Sequence, residues 1–276
     1  MTHSLIEAFI ASGETWPTAR LTVASSTQPA DTSLTDVIAA GRRMGTRMIA
    51  AGVRPGDVVG LMLPNWREWQ VAAVAAAQAG AVILPIVSIY GAKELGFILR
   101  QSRTTWLFTP ESWRGVDYMQ VVADCRALPD LRRHITTGDA FTALEAEGDI
   151  APFAARDADD LAVLVYTSGT TADPKGVMHS ARTLLAELES VQDMRNGPEE
   201  EAILAEQVGN NAALERLERG IIVTIILDPD AVEVAGALGD RQILAPIVGI
   251  AFVDQRGAVH HLVQRIGAGA KEGNQA

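Results

Sequence analysis

The 276-residue chain has one cysteine, Cys125, and only three lysines, Lys93, Lys175 and Lys271. A single thiol cannot close an internal disulfide, and no clustered His/Cys set has zinc-ligand spacing, so neither a cross-link nor a structural zinc is expected. A reducing cytoplasm is the expected setting. Positive charge is scarce overall: 23 Lys plus Arg face 34 Asp plus Glu, for a formal net charge of −11. Without a basic block, neither a nucleic-acid backbone nor an anionic membrane is expected as the main partner, because both need a positive surface. The stretch from Met1 to Trp16 lacks a basic leading region, and Glu7 and Glu14 interrupt its apolar residues. No signal peptide is therefore expected.

What is present suits a folded body. Hydrophobic residues make up 48% of the chain, and its length can bury one large α/β core or two modest ones. One window, Val71 to Tyr90, is long enough to span a membrane and holds Gln78 as its one strongly polar side chain. Its first half is alanine-rich, and Gly80 and Pro85 divide it into a buried helix and a short buried strand, so no transmembrane segment is expected.

Helical and strand patterns alternate. Leu34 to Ala51 has apolar residues at helical spacing, and Gly52 to Asp57 is a turn into the strand Val58 to Leu63. A helix from about Trp66 to Ala79 leads to the strand Ala81 to Leu84. Another from Ala92 to Gln101 leads to the strand Thr105 to Thr109, and Tyr118 to Arg126 is helical again. Helices of this length between short apolar strands predict an α/β fold: layered, mostly parallel sheets with helices on both faces. A further strand, Leu161 to Tyr166, opens onto a polar loop from Thr167 to Gly176. Ser180 is placed to cap a helix reaching about Asp193.

After Arg195 the character changes. The 81 residues from Asn196 to Ala276 hold one aromatic, Phe252, whereas all five tryptophans lie at or before Trp113. A boundary near Asn196-Gly197-Pro198 is expected, separating residues 1–195 from a tail, 196–276. The tail reads as a Glu-rich helix, Glu199 to Arg219, and two apolar strands, Ile221 to Leu227 and Ile243 to Val253. Asp254 to Gly257 reads as a hairpin turn.

The segment richest in chemistry is Tyr166-Thr167-Ser168-Gly169-Thr170-Thr171-Ala172-Asp173-Pro174-Lys175-Gly176-Val177. Open α/β sheets bind ligands at the carboxyl ends of their strands, and this loop directly follows one. Four hydroxyls in five positions and nearby backbone N–H groups can surround phosphate oxygens. Gly169 admits a close backbone approach, and Lys175 supplies charge. Ordinary surface loops use the same residue types, so composition leaves both readings open. The NTPase P-loop does not match, because the glycine–lysine spacing differs and no Ser or Thr follows Lys175.

The whole string resembles the signature loop of the adenylate-forming superfamily, the AMP-binding acyl-CoA synthetases and their relatives. Leu63-Pro64-Asn65 with the following alanine-rich helix and Gly80-Ala81-Val82 resembles an early segment of these ligases, as does the turn Gly52 to Asp57. Ile89-Tyr90-Gly91 through Glu94-Leu95, and Ile98-Leu99 to Ser102, is similar to the next stretch. It leans toward ligases for medium-chain or alicyclic acids and so toward fatty acid metabolism. The resemblance covers residues 1–195 and implies a family fold, an α/β body of layered sheets and helices. It implies ATP, Mg²⁺ and coenzyme A, with a carboxylic acid activated as its acyl-adenylate and passed to the thiol. Carried over by position, Thr167, Ser168, Gly169, Thr170, Thr171 and Lys175 are phosphate-binding residues. No residue is assigned a catalytic role or a metal.

The sequence departs from the family pattern in two places. Ala172 stands where the family has Gly or a small polar residue, and Ala resists a backbone with φ > 0. After Arg195 three family features are not found: the aromatic-rich Thr-Glu segment, the Thr-Gly-Asp segment and the C-terminal domain with its catalytic lysine. Lys271 does not match that lysine's context. A shortened ligase, active or inactive, is the first expectation. A non-catalytic nucleotide-binding or assembly module and an inactive truncation product are the others, and a homo-oligomer is left open.

Other residues have plainer expected roles. His260 and His261 are adjacent on a strand and face opposite ways. Trp66 and Trp69 are expected to pack in the core, and Cys125 to serve as a small buried hydrophobe.

Overall fold

The structure is a computed structural model and describes residues 4–15, 17, 19–23, 30–167, 174–186, 251–253 and 259–261. Helix α1 (Leu5–Thr15) precedes an antiparallel ribbon of β1 (Arg20–Val23) and β2 (Ala30–Ser33). Next come α2 (Leu34–Ala50), β3 (Val58–Leu61), α3 (Arg67–Gln78), β4 (Val82–Pro85), α4 (Ala92–Gln101) and β5 (Thr104–Thr109). A second ribbon, β6 (Ser112–Trp113) with β7 (Val116–Asp117), leads into α5 (Tyr118–Ala123), β8 (Arg133–Thr136) and α6 (Asp139–Glu145). Strands β9 (Leu161–Thr167) and β10 (Lys175–Ser180) follow. In the tail, β11 (Ala251–Val253) pairs antiparallel with β12 (Val259–His261), as the expected hairpin requires.

The main sheet has the order β10-β9-β4-β3-β5-β8. Its five inner and right-hand strands run parallel, and β10 alone is antiparallel, on the outside of β9. This is the mostly parallel α/β architecture that the sequence predicts. Side chains alternate across it. Val59, Leu61, Ile83, Trp106, Phe108, Val163 and Val165 enter one core, with Met44 and Met48 of α2, the alanines of α3 and Phe141 of α6. Val82, Leu84, Leu107, Leu164 and Tyr166 enter a second core, with Leu95, Ile98 and Leu99 of α4 and Tyr118 of α5. Two-sided burial explains why these strands read as continuous apolar runs.

The turns are built by glycine. Gly52 and Gly80 follow the last residues of α2 and α3 at φ 93° and 66°. In each case the next residue donates back into the helix, Val53 to the Met48 carbonyl and Ala81 to the Ala76 carbonyl, both at 2.9 Å. These are paired Schellman endings. The candidate membrane window is thus a buried helix ending at Gln78 and a buried strand from Val82. Among the described residues no helix is long and apolar enough to cross a membrane.

Several elements escape the sequence patterns. Strand β8 is made of Arg133, His134, Ile135 and Thr136, partly exposed at a sheet edge, so it shows no apolar run. Helix α5 stops at Ala123 rather than Arg126 because the chain turns at Asp124. Helix α6 and both ribbons carry patterns too short or too polar to stand out, and helix α1, 11 residues long, is a further element absent from the sequence expectations. The expected helix Glu199 to Arg219 and strand Ile221 to Leu227 lie outside the described residues, as does the candidate run Ile243 to Val253 before residue 251.

Helices α2 and α3 touch backbone to backbone. A Cβ added to Gly41 would lie 2.5 Å from Val74 Cβ and 2.8 Å from the Val71 carbonyl oxygen. One added to Gly45 would lie 2.6 Å from the Ala75 carbonyl oxygen and 2.6 Å from Gln78 Cβ. Gly45→Ala gains about 1 kcal/mol in helix propensity, but a backbone carbonyl cannot step aside. The substitution is expected to lower the unfolding free energy by a net ~1–3 kcal/mol through overpacking. Urea denaturation reads this as a lower midpoint at constant m; an unchanged midpoint would contradict the contact.

Candidate functional site

Strand β9 ends at Thr167 and β10 begins at Lys175, and these two residues face each other across the antiparallel ladder. The hydroxyl-rich segment therefore closes a hairpin at the carboxyl end of β9. Ser168, Gly169, Thr170 and Thr171 lie outside the described residues, as does Ala172. The sequence reads as a loop through Gly176, yet pairing already starts at Lys175. The physical reason is the free outer edge of β9, whose backbone groups need partners.

Gly176 lies opposite Tyr166, and a Cβ there would come within 3.1 Å of Leu164 Cδ1 and 3.4 Å of Tyr166 Cζ. Its bare backbone leaves space for the tyrosine ring, which is buried. Burial raises the Tyr166 pKa, so the phenol stays protonated. At the far end of β10, Ser180 Oγ accepts from the Thr183 amide at 3.2 Å, the capping role expected for it. Arg182 grips Asp159 through two bonds of 2.6 and 3.0 Å, tying residues 181–186 to the turn before β9.

The neighbouring strand ends complete the surroundings. Val59, Ile83 and Val163 share one row across β3, β4 and β9. Counting four residues on from each puts Leu63, Val87 and Thr167 at about one height, so residues 86–91 follow the strand next to the hairpin and residues 62–66 the strand beyond it. Tyr118 Oη donates to the Ser88 carbonyl at 2.9 Å and pins the second of these loops. Further along, Thr109 Oγ1 gives its single hydrogen to the Pro110 carbonyl at 2.7 Å. His134 Nε2, 2.8 Å from that hydroxyl, must therefore be the donor in their bond. Burial lowers the His134 pKa and so favours the neutral ring, in which this bond puts the hydrogen on Nε2.

The chain also has a topological switch here. From β3 it passes over the first core to β4, then over the second core to β5 on the other side of β3. The connections leaving β3 and β5 consequently diverge onto opposite faces, the arrangement beside which open α/β sheets bind ligands. Trp66 and Trp113, one on each of these connections, meet edge to face at 6.5 Å. Asn65, before Trp66, occupies the middle of a tight turn closed by the Trp66 amide and the Pro64 carbonyl at 2.7 Å. Its Nδ2 is buried and has no hydrogen-bond partner among the described residues. Local sequence pattern gives no role to Asn65, Thr109 or His134. For Asn65 and Thr109 the available signal is position, past the end of β3 and at the end of β5, whereas His134 lies inside the short edge strand β8.

The remaining candidates have structural roles. Trp66 and Trp69 are both buried. Cys125 is half-buried rather than enclosed, with Sγ 3.4 Å from the Ala92 and Val121 carbonyls, and burial pushes its thiol pKa up. Among the described residues no group of three His, Cys, Asp or Glu is placed to hold a metal. A cleft of about 510 Å³ lies at the opposite, amino-terminal edge of the sheet, where Arg132 is paired with Asp57.

Residues 14–207 match a family model described as AMP-binding enzyme. The feruloyl-CoA synthase of an Amycolatopsis species is 36% identical over 137 residues, which is 49% of this chain and 26% of that protein. The phosphinothricin tripeptide synthetase of Streptomyces viridochromogenes is 31% identical over 212 residues, 71% of this chain and 18% of its own length. The crystal structure of a long-chain-fatty-acid–CoA ligase from Archaeoglobus fulgidus shares the fold, with a TM-score of 0.60 at 21% identity over 69% of this chain and 39% of that one. The chain thus spans about a third or less of the length of the curated relatives it matches.

His134 generates a pH prediction. Its folded-state pKa lies below the ordinary 6.5, so the unfolded chain binds the proton better. Its contribution to stability is complete above pH 6.5 and is lost as the pH falls below that value, with a slope of at most about 1.4 kcal/mol per pH unit. In His134→Gln this component is expected to vanish from urea-derived stabilities compared at about pH 7.5 and about pH 5.5. An identical pH slope in the variant would count against it.

Proposed function

The chain belongs to the AMP-binding enzyme family, and on that premise we propose that it supplies the nucleotide-binding N-terminal portion of an adenylate-forming acid–thiol ligase. One observation carries this reading: the string from Tyr166 to Val177 joins β9 to β10, with Lys175 paired opposite Thr167 at the carboxyl end of β9. In the proposed first step, a carboxylate oxygen attacks the α-phosphorus of ATP. The bond from that phosphorus to the bridging oxygen breaks, and pyrophosphate leaves with the electron pair. In the second step, the sulfur of coenzyme A attacks the acyl carbon, AMP leaves and the thiol proton passes to solvent. The likeness to feruloyl-CoA synthase supports coenzyme A as the thiol.

The chain's own groups are assigned to charge and orientation. Thr167, Ser168, Thr170 and Thr171 donate hydroxyl hydrogen bonds to phosphate oxygens, and Gly169 admits the phosphate close to the backbone. Lys175, exposed at the mouth of the hairpin, offsets the negative charge that grows as pyrophosphate departs. Bound with ATP, Mg²⁺ would neutralise part of that charge. The described residues offer it no ligand set, and no step is assigned through it. We assign residues 1–195 to the ligase-like region and 196–276 to a divergent tail, in a protein of the reducing cytoplasm.

Lys175→Ala is expected to keep the fold and weaken ATP binding by roughly ten- to a hundredfold, the range of one lost charge-assisted hydrogen bond. Calorimetric titration measures it, and an unchanged affinity would remove Lys175 from the site. Pyrophosphate exchange with a panel of carboxylic acids tests the chemistry. An ATP-induced rise in melting temperature without exchange would instead indicate a module that binds nucleotide without activating an acid.

A further inference from the structure

The amino-terminal edge of the sheet holds an open cleft that the ligase reading does not use. Helices α2, α3 and α4 all end at this edge with a residue in the left-handed region whose amide donates three residues back. Gly52 donates to the Ile49 carbonyl, Gly80 to the Ala77 carbonyl and Arg103 to the Arg100 carbonyl, at 3.0, 3.0 and 3.2 Å. Glycine meets this demand without strain in the first two. In the third an arginine holds φ 53°, a conformation that is unfavourable for any residue with a Cβ. Arg100 already places positive charge in the last turn of α4, so the helix dipole does not account for a second arginine there.

Arg103 lines the cleft of about 510 Å³ together with Asp57, Thr105, Asp130 and Arg132. Three of these are engaged within the fold. Arg132 binds Asp57 and the Gly52 carbonyl, the Asp57 carboxylate also accepts from the Arg54 amide, and Thr105 Oγ1 donates to the Val58 carbonyl. Arg103 and Asp130 differ. Both are exposed, and among the described residues neither side chain has a hydrogen-bond or ion-pair partner, each other included. The turn Leu128–Leu131, closed at 3.2 Å, and the bond from the Arg132 amide to the Thr105 carbonyl, at 2.7 Å, fix the backbone around Asp130. Arg103 repels a simple cation and Asp130 a simple anion, whereas a molecule carrying both charges is attracted by each. We propose that this cleft binds a small zwitterion of free-amino-acid or dipeptide size, its carboxylate on the Arg103 guanidinium and its ammonium on the Asp130 carboxylate. The left-handed strain at Arg103 is then retained for recognition. The site lies at the opposite edge of the sheet from the Thr167–Lys175 hairpin and stands independently of the ligase reading.

The test follows the backbone amide NMR shifts of the full, isotope-labelled chain during titration with L-alanine, glycylglycine, acetate and methylammonium in separate arms. A zwitterion is expected to shift the amides of Gly56, Arg103 and Asp130 saturably, with a dissociation constant on the order of a millimolar. Acetate and methylammonium, each with one charge, are expected to bind at least about tenfold more weakly. Tighter binding of L-alanine points to a free amino acid, and of glycylglycine to a dipeptide. Arg103→Gly is expected to melt at or above the wild-type temperature, because glycine relieves the left-handed backbone, and to bind the zwitterion about tenfold more weakly. Asp130→Asn is expected to show the same loss for the zwitterion while acetate binds as well or better, and it carries the test if the glycine variant does not fold. No saturable shift at the cleft with either zwitterion would overturn the proposal. So would equal affinity for the singly charged ions, or unchanged zwitterion affinity in both variants. A lower melting temperature for Arg103→Gly with unchanged affinity would make the Arg103 side chain purely structural and overturn it as well.

Discussion

Burial of the central strands on both faces is the constraint on which the rest of the molecule depends. Val59 and Leu61 of β3 face α2 and α3, while the neighbouring strands send Leu84 and Leu107 into the opposite core against α4. A strand covered on both sides has no solvent face, so helices must connect successive strands and those strands run parallel. Parallel strands bring all their carboxyl ends to one edge. The hairpin at Thr167–Lys175, the loop holding Asn65 and the loop pinned by Tyr118 share that edge for this reason.

Keeping β9 beside β4 takes a second set of contacts, because a long connection separates α6 from β9. Arginines of α2 hold its start: Arg43 donates to the Glu145 carbonyl at 3.0 Å, and Arg47 to the carbonyls of Leu144, Ala146 and Glu147 at 2.9, 2.9 and 3.1 Å. These are the orphan carbonyls at the end of α6, where positive charge also suits the helix dipole. Gln78, fully buried, donates to the Ala151 carbonyl at 2.8 Å and accepts from Arg42 at 3.2 Å. Arg156 then binds the Leu161 carbonyl at 2.9 Å, where β9 begins. The close passage of α2 over α3 at Gly41 and Gly45 positions both helices for this clamp. The packing that covers the sheet therefore also delivers the hairpin strand to its neighbour.

Much of this was legible in the sequence where local pattern and burial agree. Helices α2, α3 and α4 and strands β3, β4, β5 and β9 fall close to their expected places because each has either helical spacing or a continuous apolar run. Gly52 and Gly80 mark their turns for a backbone reason. Strand β8 could not be read that way, since Arg133 and His134 belong to an edge and owe their conformation to pairing with Trp106 and Leu107. Strand β10 was hidden because Lys175, Gly176 and His179 look like loop residues until the open edge of β9 is known.

By itself the sequence determined the class of the fold, the apolar strands and their helices, and the hydroxyl-rich string after β9 that ties the chain to its family. These features reside in the period of apolar residues and in a run of neighbours along the chain, so no long-range contact is needed to see them. Only the tertiary structure decided that the string closes a hairpin with Lys175 opposite Thr167, and that Arg43, Arg47 and Gln78 clamp a distant connection. It also decided that the Asn65 side-chain nitrogen is buried without a partner among the described residues. Each of these depends on residues far apart in the chain meeting in space, and strand order and burial set those meetings where local pattern cannot.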